Sequence, residues 1–69
     1  MNLIKKRRTE MGYTQTEFAD RLNITNDWLS RLENGKAYPS RKLALRISKE
    51  LNVDFTDIFL INDRTNNYK

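Results

Sequence analysis

The chain has 69 residues, a net charge of +4, 38% hydrophobic and 32% charged residues, and neither cysteine nor histidine. That length suits one small domain with a limited core. The absent residue types exclude disulfide staples, thiolate chemistry, and the commonest general base and transition-metal ligand. No apolar run approaches membrane-spanning length, and Met1-Asn2-Leu3-Ile4-Lys5-Lys6-Arg7-Arg8 lacks the apolar stretch of a secretory signal. A cytoplasmic location is expected.

Turn and cap residues divide the chain into five predicted helices. The first runs from Leu3 to Met11, with Leu3, Ile4 and Met11 as a thin apolar face and Arg7 and Arg8 on or beside it. Gly12 then supplies a left-handed residue. The second helix opens on the capping box Thr14-Gln15-Thr16-Glu17, in which the Thr hydroxyl accepts from the Glu17 amide and the carboxylate reaches back. Phe18, Ala19 and Leu22 form its inward face, and Asn23, the best non-glycine residue for a left-handed position, ends it. Thr25 caps the third helix, Leu29 and Leu32 point inward, and Asn34-Gly35 closes it. Pro39-Ser40 opens the fourth, with Ser40 as N-cap and Leu43, Ala44, Ile47 and Leu51 as its buried stripe; Asn52 repeats the asparagine stop. Val53 to Ile61 reads as a short fifth helix capped by Asp54. Residues 1–61 are expected to form the domain, and 62–69 a polar C-terminal tail.

Charge is unevenly placed. Between Glu33 and Glu50 there is no acidic residue but there are Lys36, Arg41, Lys42, Arg46 and Lys49; from Glu50 to Asp63 the pattern reverses. Such polarity suits a side that faces a polyanion, although solvated helix faces look the same in sequence. The carboxylates Glu17, Asp20, Asp54 and Asp57 are accounted for by helix caps or solvated faces. There is no nucleophile–base pair, no phosphate-cradling glycine loop and no metal-ligand spacing. The expectation is a non-enzyme with no cofactor, no metal and no small-molecule substrate.

Thr14-Gln15, Phe18-Ala19, Asn23-Ile24-Thr25 and Ser30-Arg31-Leu32-Glu33-Asn34-Gly35-Lys36 together resemble the Xre family, the lambda- and Cro-repressor-like helix-turn-helix regulators. The resemblance covers Ile4 to about Phe59. It implies an all-α, compact five-helix lambda-repressor-like DNA-binding domain, with the helix-turn-helix at helices two and three. Ala19 falls where two helices cross closely. Asn23 replaces the glycine more usual at the turn, and Arg7 replaces a usually apolar residue, its stem left to cover core and its head to reach solvent or phosphate.

By this resemblance the start of helix three reads base edges, at Asn26, Asp27, Trp28, Ser30 and Arg31. Arg suits guanine O6 and N7, Asn suits adenine, and a carboxylate accepts from cytosine. Asp27 equally suits the helix dipole in the first turn. Trp28 would cover a thymine methyl, rest on the sugar-phosphate wall, or fill core across the junction of helices two and three. For Arg31 the competing role is a surface salt bridge. Phosphate contacts are implied for Thr14, Gln15, Asn34, Lys36, Tyr38, Ser40 and Arg41, with Gln15 at a helix N-terminus that favours anions. Lys5 or Lys6 would add a long-range contact.

The family pairs an Arg of helix one with the Glu that closes helix three, here Arg8 with Glu33, partly buried. One helix in one groove reads few base pairs, so a homodimer on an inverted repeat is expected, with half-sites roughly 34 Å apart or a multiple of it. Phe55, Ile58, Phe59, Leu60 and Ile61 are the expected self-interface, though Ile58 and Phe59 also suit core closure. The implied partner is double-stranded operator DNA, and the implied function a transcriptional regulator, a repressor by occupancy, from a bacterium, phage or mobile element. The alternative is an antitoxin or other protein-binding module on the same fold.

Overall fold

A computed structural model describes residues 3–59. The elements run α1 (Leu3–Glu10), α2 (Gln15–Leu22), α3 (Asn26–Glu33), α4 (Arg41–Leu51) and α5 (Phe55–Phe59). The described chain is all-helical, as expected for a lambda-repressor-like domain.

The start signals of α2, α3 and α4 are hydroxyls. Thr14 accepts from the Glu17 amide at 3.1 Å while Glu17 Oε1 accepts from the Thr14 amide at 2.9 Å, which completes the capping box. Thr25 accepts from the Trp28 amide at 3.0 Å, and Ser40 from the Leu43 amide at 3.1 Å. These bonds satisfy amides that the first helical turn leaves without partners.

Each stop has one geometry too. Gly12, Asn23, Gly35 and Asn52 all take positive φ. The amide of the next residue then reaches back: Tyr13 to the Arg8 carbonyl at 3.1 Å, Ile24 to Ala19 at 3.0 Å, Lys36 to Arg31 at 2.8 Å, Val53 to Ser48 at 3.0 Å. This is the Schellman arrangement. After three of the four stops the next residue is apolar, and Tyr13, Ile24 and Val53 pack against the core.

The core comprises Ile4, Phe18, Ala19, Leu22, Leu29, Leu32, Ala44, Ile47, Leu51 and Ile58. α4 packs on α5, α2 on α3 and α4, and α1 on α3, α4 and α5. Leu43 is only half-buried at its rim. Tyr13 leans on Phe18 with ring centroids 5.5 Å apart.

Two expectations for α1 change. α1 stops at Glu10, and Met11 lies in the turn, 41% exposed, rather than on the inward face. The Gly12 reversal carries the chain off the helical spacing one residue too early for Met11 to follow Ile4 inward. Arg7 sends its head neither to solvent alone nor toward a phosphate. Its Nε and Nη2 donate to the Leu51 carbonyl at 3.3 and 3.0 Å, and its Nη1 meets Glu10 at 2.9 Å. It thereby caps the C-terminus of α4, where a cation is favourable.

Candidate nucleic-acid interface

α2, the turn through Asn23 and α3 form the helix-turn-helix. Asn23 sits at φ 60° and ψ 43°, so the turn keeps its left-handed geometry without glycine. Ala19, 2% exposed, lies in the packed interior beside it.

α3 is divided by its burial. Leu29, Leu32 and Glu33 face inward. Asn26, Asp27, Trp28 and Arg31 are exposed, and Ser30 is half-buried. The helix therefore leaves four of the five expected base readers exposed. Arg31 forms no ion pair with any described residue. Trp28 is 36% exposed, so of its alternatives the core filler is not what the structure shows. Its ring instead borders an open groove with Arg31, Gly35, Lys36, Ala37 and Tyr38. That groove carries cations beside two exposed aromatic rings, chemistry suited to a nucleic-acid backbone and base edges. Asn26 is engaged within the protein: its Nδ2 donates to Thr16 Oγ1 at 2.8 Å.

The expected phosphate contacts divide into open and occupied groups. Lys36, Tyr38 and Arg41 are exposed. Thr14 and Ser40 use their oxygens as acceptors in caps, and each hydroxyl retains its O–H for donation. Asn34 folds back on α3, its Nδ2 donating to the Ser30 carbonyl at 2.8 Å and to Ser30 Oγ at 3.3 Å. Gln15 leans inward, its Nε2 donating to Glu33 Oε1 at 3.3 Å.

That last bond joins the interface to the core. Arg8 Nε and Nη2 donate to Glu33 Oε2 and Oε1 at 2.6 and 3.2 Å, a two-pronged pair with side chains 8% and 2% exposed. Arg8 Nη1 donates to the Tyr13 carbonyl at 2.9 Å. A buried pair of this kind tolerates its desolvation only when its remaining hydrogen-bonding positions are filled, and among the described residues no buried side-chain polar atom lacks a partner. On the outer surface Arg21 Nε meets Glu50 Oε1 at 2.8 Å. The Glu50 hydrogen bond and charge, with Tyr13 adding a lesser contribution, raise the Arg21 guanidinium above its ordinary range. Its Cζ also lies 5.2 Å from the Tyr13 ring centre.

A helix-turn-helix family model matches residues 4–58. The chain belongs to the helix-turn-helix family. It is 39% identical over 62 residues to an uncharacterised HTH-type transcriptional regulator of Methanothermobacter thermautotrophicus, covering 88% of this chain and 90% of that one. An uncharacterised HTH-type regulator of Bacillus subtilis is 34% identical over 68 residues, covering 96% of this chain and 90% of its own length. The "ImmF control region 10 kDa protein" of Bacillus phage phi105 is 42% identical over 52 residues, covering 75% of this chain and 58% of its own. The relatives thus include archaeal, bacterial and phage proteins, and those of Methanothermobacter thermautotrophicus and Bacillus subtilis are named as transcriptional regulators.

In this helix-turn-helix domain one expected interface residue has a different place. Ile58 is fully buried in its own chain, where it closes the core against α4 and α1, so it offers no surface to a second copy. Phe55 is half-buried and packs on the core edge. The Phe59 side chain, Leu60, Ile61 and the expected tail 62–69 lie outside the described residues. Among the described residues no His, Cys, Asp and Glu group has metal-site geometry, and no helix is long and apolar enough to cross a membrane.

Sequence reasoning did not find the Thr16–Asn26, Arg7–Leu51 and Arg21–Glu50 contacts. Each joins residues from different helices, and no spacing along the chain encodes them.

Proposed function

We propose that this chain is a sequence-specific DNA-binding regulator that represses transcription by occupying an inverted-repeat operator as a homodimer. α3 lies in the major groove, with Asn26, Asp27, Trp28, Ser30 and Arg31 toward the bases. The carrying observation is the divided burial of α3: Leu29, Leu32 and Glu33 are buried while Asn26, Asp27, Trp28 and Arg31 are exposed. Arg31, unpaired among described residues, is available for guanine O6 and N7. Thr14, Gln15, Lys36, Tyr38, Ser40 and Arg41 grip phosphates on either side, and Asn34 joins them when its amide leaves Ser30. Repression is favoured by similarity to a phage protein named for a control region. Phe55, Phe59, Leu60 and Ile61 supply the self-interface, and the protein works in the cytoplasm, where its DNA is.

Selection from a random duplex library tests this, with Arg31→Ala run beside the parent. The expected result is an inverted repeat, with the variant losing preference at a few symmetric positions and roughly 1–3 kcal/mol of discrimination there. No enrichment, with weak binding that falls steeply with salt, would leave only non-specific phosphate attraction and refute the proposal.

A further inference from the structure

Thr16 is the second residue of α2 and Asn26 the first of α3. Their side chains meet across the turn through the 2.8 Å bond from Asn26 Nδ2 to Thr16 Oγ1. Both residues are exposed, so the contact lies at the protein surface rather than in the core. Thr16 is itself held firmly. It sits inside the capping box, between Thr14 and Glu17, whose reciprocal bonds of 3.1 and 2.9 Å fix the first turn of α2.

A carboxamide offers one carbonyl acceptor and two N–H donors. Unrestrained, its plane turns broadly about the terminal torsion, which has no sharp staggered wells. One N–H committed to Thr16 removes that freedom. What remains is the carbonyl oxygen and the second N–H. One acceptor beside one donor is the complement of the adenine edge in the major groove, which presents the N6 donor and the N7 acceptor.

We propose that Thr16 is a positioning residue for base reading, holding the Asn26 carboxamide so that its remaining acceptor and donor meet an adenine. Thr16 touches no base; it acts through Asn26. A side chain already oriented in the free protein has less freedom to lose on binding. The inference rests on the DNA-reading function proposed above and adds the residue that sets how Asn26 meets its base.

The experiment compares wild type, Asn26→Ala, Thr16→Val and Thr16→Ser. Library selection comes first, followed by anisotropy titrations of duplexes carrying each of the four bases at the position whose preference Asn26→Ala erases. Thr16→Val removes the hydroxyl at nearly constant shape, and Thr16→Ser keeps it. Wild type is expected to favour adenine there by about tenfold or more. Thr16→Val should lower that preference severalfold while leaving the other positions and the melting temperature unchanged, and Thr16→Ser should restore it. The inference is overturned if Thr16→Val keeps the full preference, if it weakens binding equally at every position, if Asn26→Ala erases no preference, or if the position it erases favours another base. Those outcomes leave the regulator reading intact. Failure of wild type to enrich any sequence removes the regulator reading and this inference together.

Discussion

Removing the Glu33 carboxylate tests how firmly α1, α2 and α3 are tied together. Glu33 accepts from Arg8 at 2.6 and 3.2 Å and from Gln15 at 3.3 Å. In Glu33→Ala the Arg8 guanidinium, with its side chain 8% exposed, retains a single partner, the Tyr13 carbonyl at 2.9 Å. Stripping a buried charge of its counter-ion costs about 3–5 kcal/mol. At ~0.05–0.15 kcal/mol per residue, a domain of 69 residues has a total stability of about 3–10 kcal/mol. The variant is therefore expected at or near its folding threshold, with a urea midpoint, read by helical circular dichroism, displaced far below that of wild type. The companion Arg8→Met/Glu33→Leu should recover most of the loss, because replacing both ions by apolar groups of similar volume is often neutral or better. An unfolding free energy of Glu33→Ala within about 0.5 kcal/mol of wild type would refute the reasoning. The pair would then behave like a screened surface pair, whose worth is about 0–1 kcal/mol.

Two further perturbations follow from the turn and the helix crossing. Asn23 holds φ 60°, so Asn23→Val should lose roughly 1–2 kcal/mol in denaturant titrations, while Asn23→Gly should be neutral or slightly stabilising; equal stability of all three would show that the turn relaxes out of the left-handed region. Ala19, 2% exposed, leaves no room for added methylenes, and Ala19→Leu is expected to cost about 1–3 kcal/mol by thermal melting; an unchanged melt would mean that α2 and α3 separate without penalty.

The parts of the fold legible in the sequence are those whose physics is local. Thr14, Thr25 and Ser40 each satisfy an amide three residues on, and Gly12, Asn23, Gly35 and Asn52 reverse the chain within one turn. Their roles depend on nothing far away, and the helices begin and end where these residues stand. The inward stripe of α2 followed equally from spacing, with Phe18, Ala19 and Leu22 all buried. Met11 shows where spacing misleads: seven residues from Ile4 it keeps helical phase, but the helix has ended. Arg7 shows a second limit. Its destination, the Leu51 carbonyl, is 44 residues away, and only the packing of α1 on α4 brings the two together. Asn34 and Gln15 show a third. Their residue types and positions suit phosphate, yet their amides take nearer acceptors, on Ser30 and Glu33.

Those nearer acceptors tie the interface to the fold that carries it. Arg8 of α1 holds Glu33 at the end of α3, and Glu33 in turn holds Gln15 at the start of α2. Thr16, one residue on, holds Asn26 at the start of α3. Hydrogen bonds therefore connect a buried cation through Glu33 to Gln15, a separate bond holds Asn26 to Thr16, and Gln15 and Thr16 are neighbours in the first turn of α2. That turn is the segment stiffened by the capping box. A short helix would ordinarily fray at its N-terminus, since isolated helices of this length are marginal in water. Here reciprocal capping suppresses the fraying at the place where a phosphate clamp and a base-reading amide both need a fixed base. The strongest local start signal in the chain thus coincides with the element on which the proposed reading surface depends.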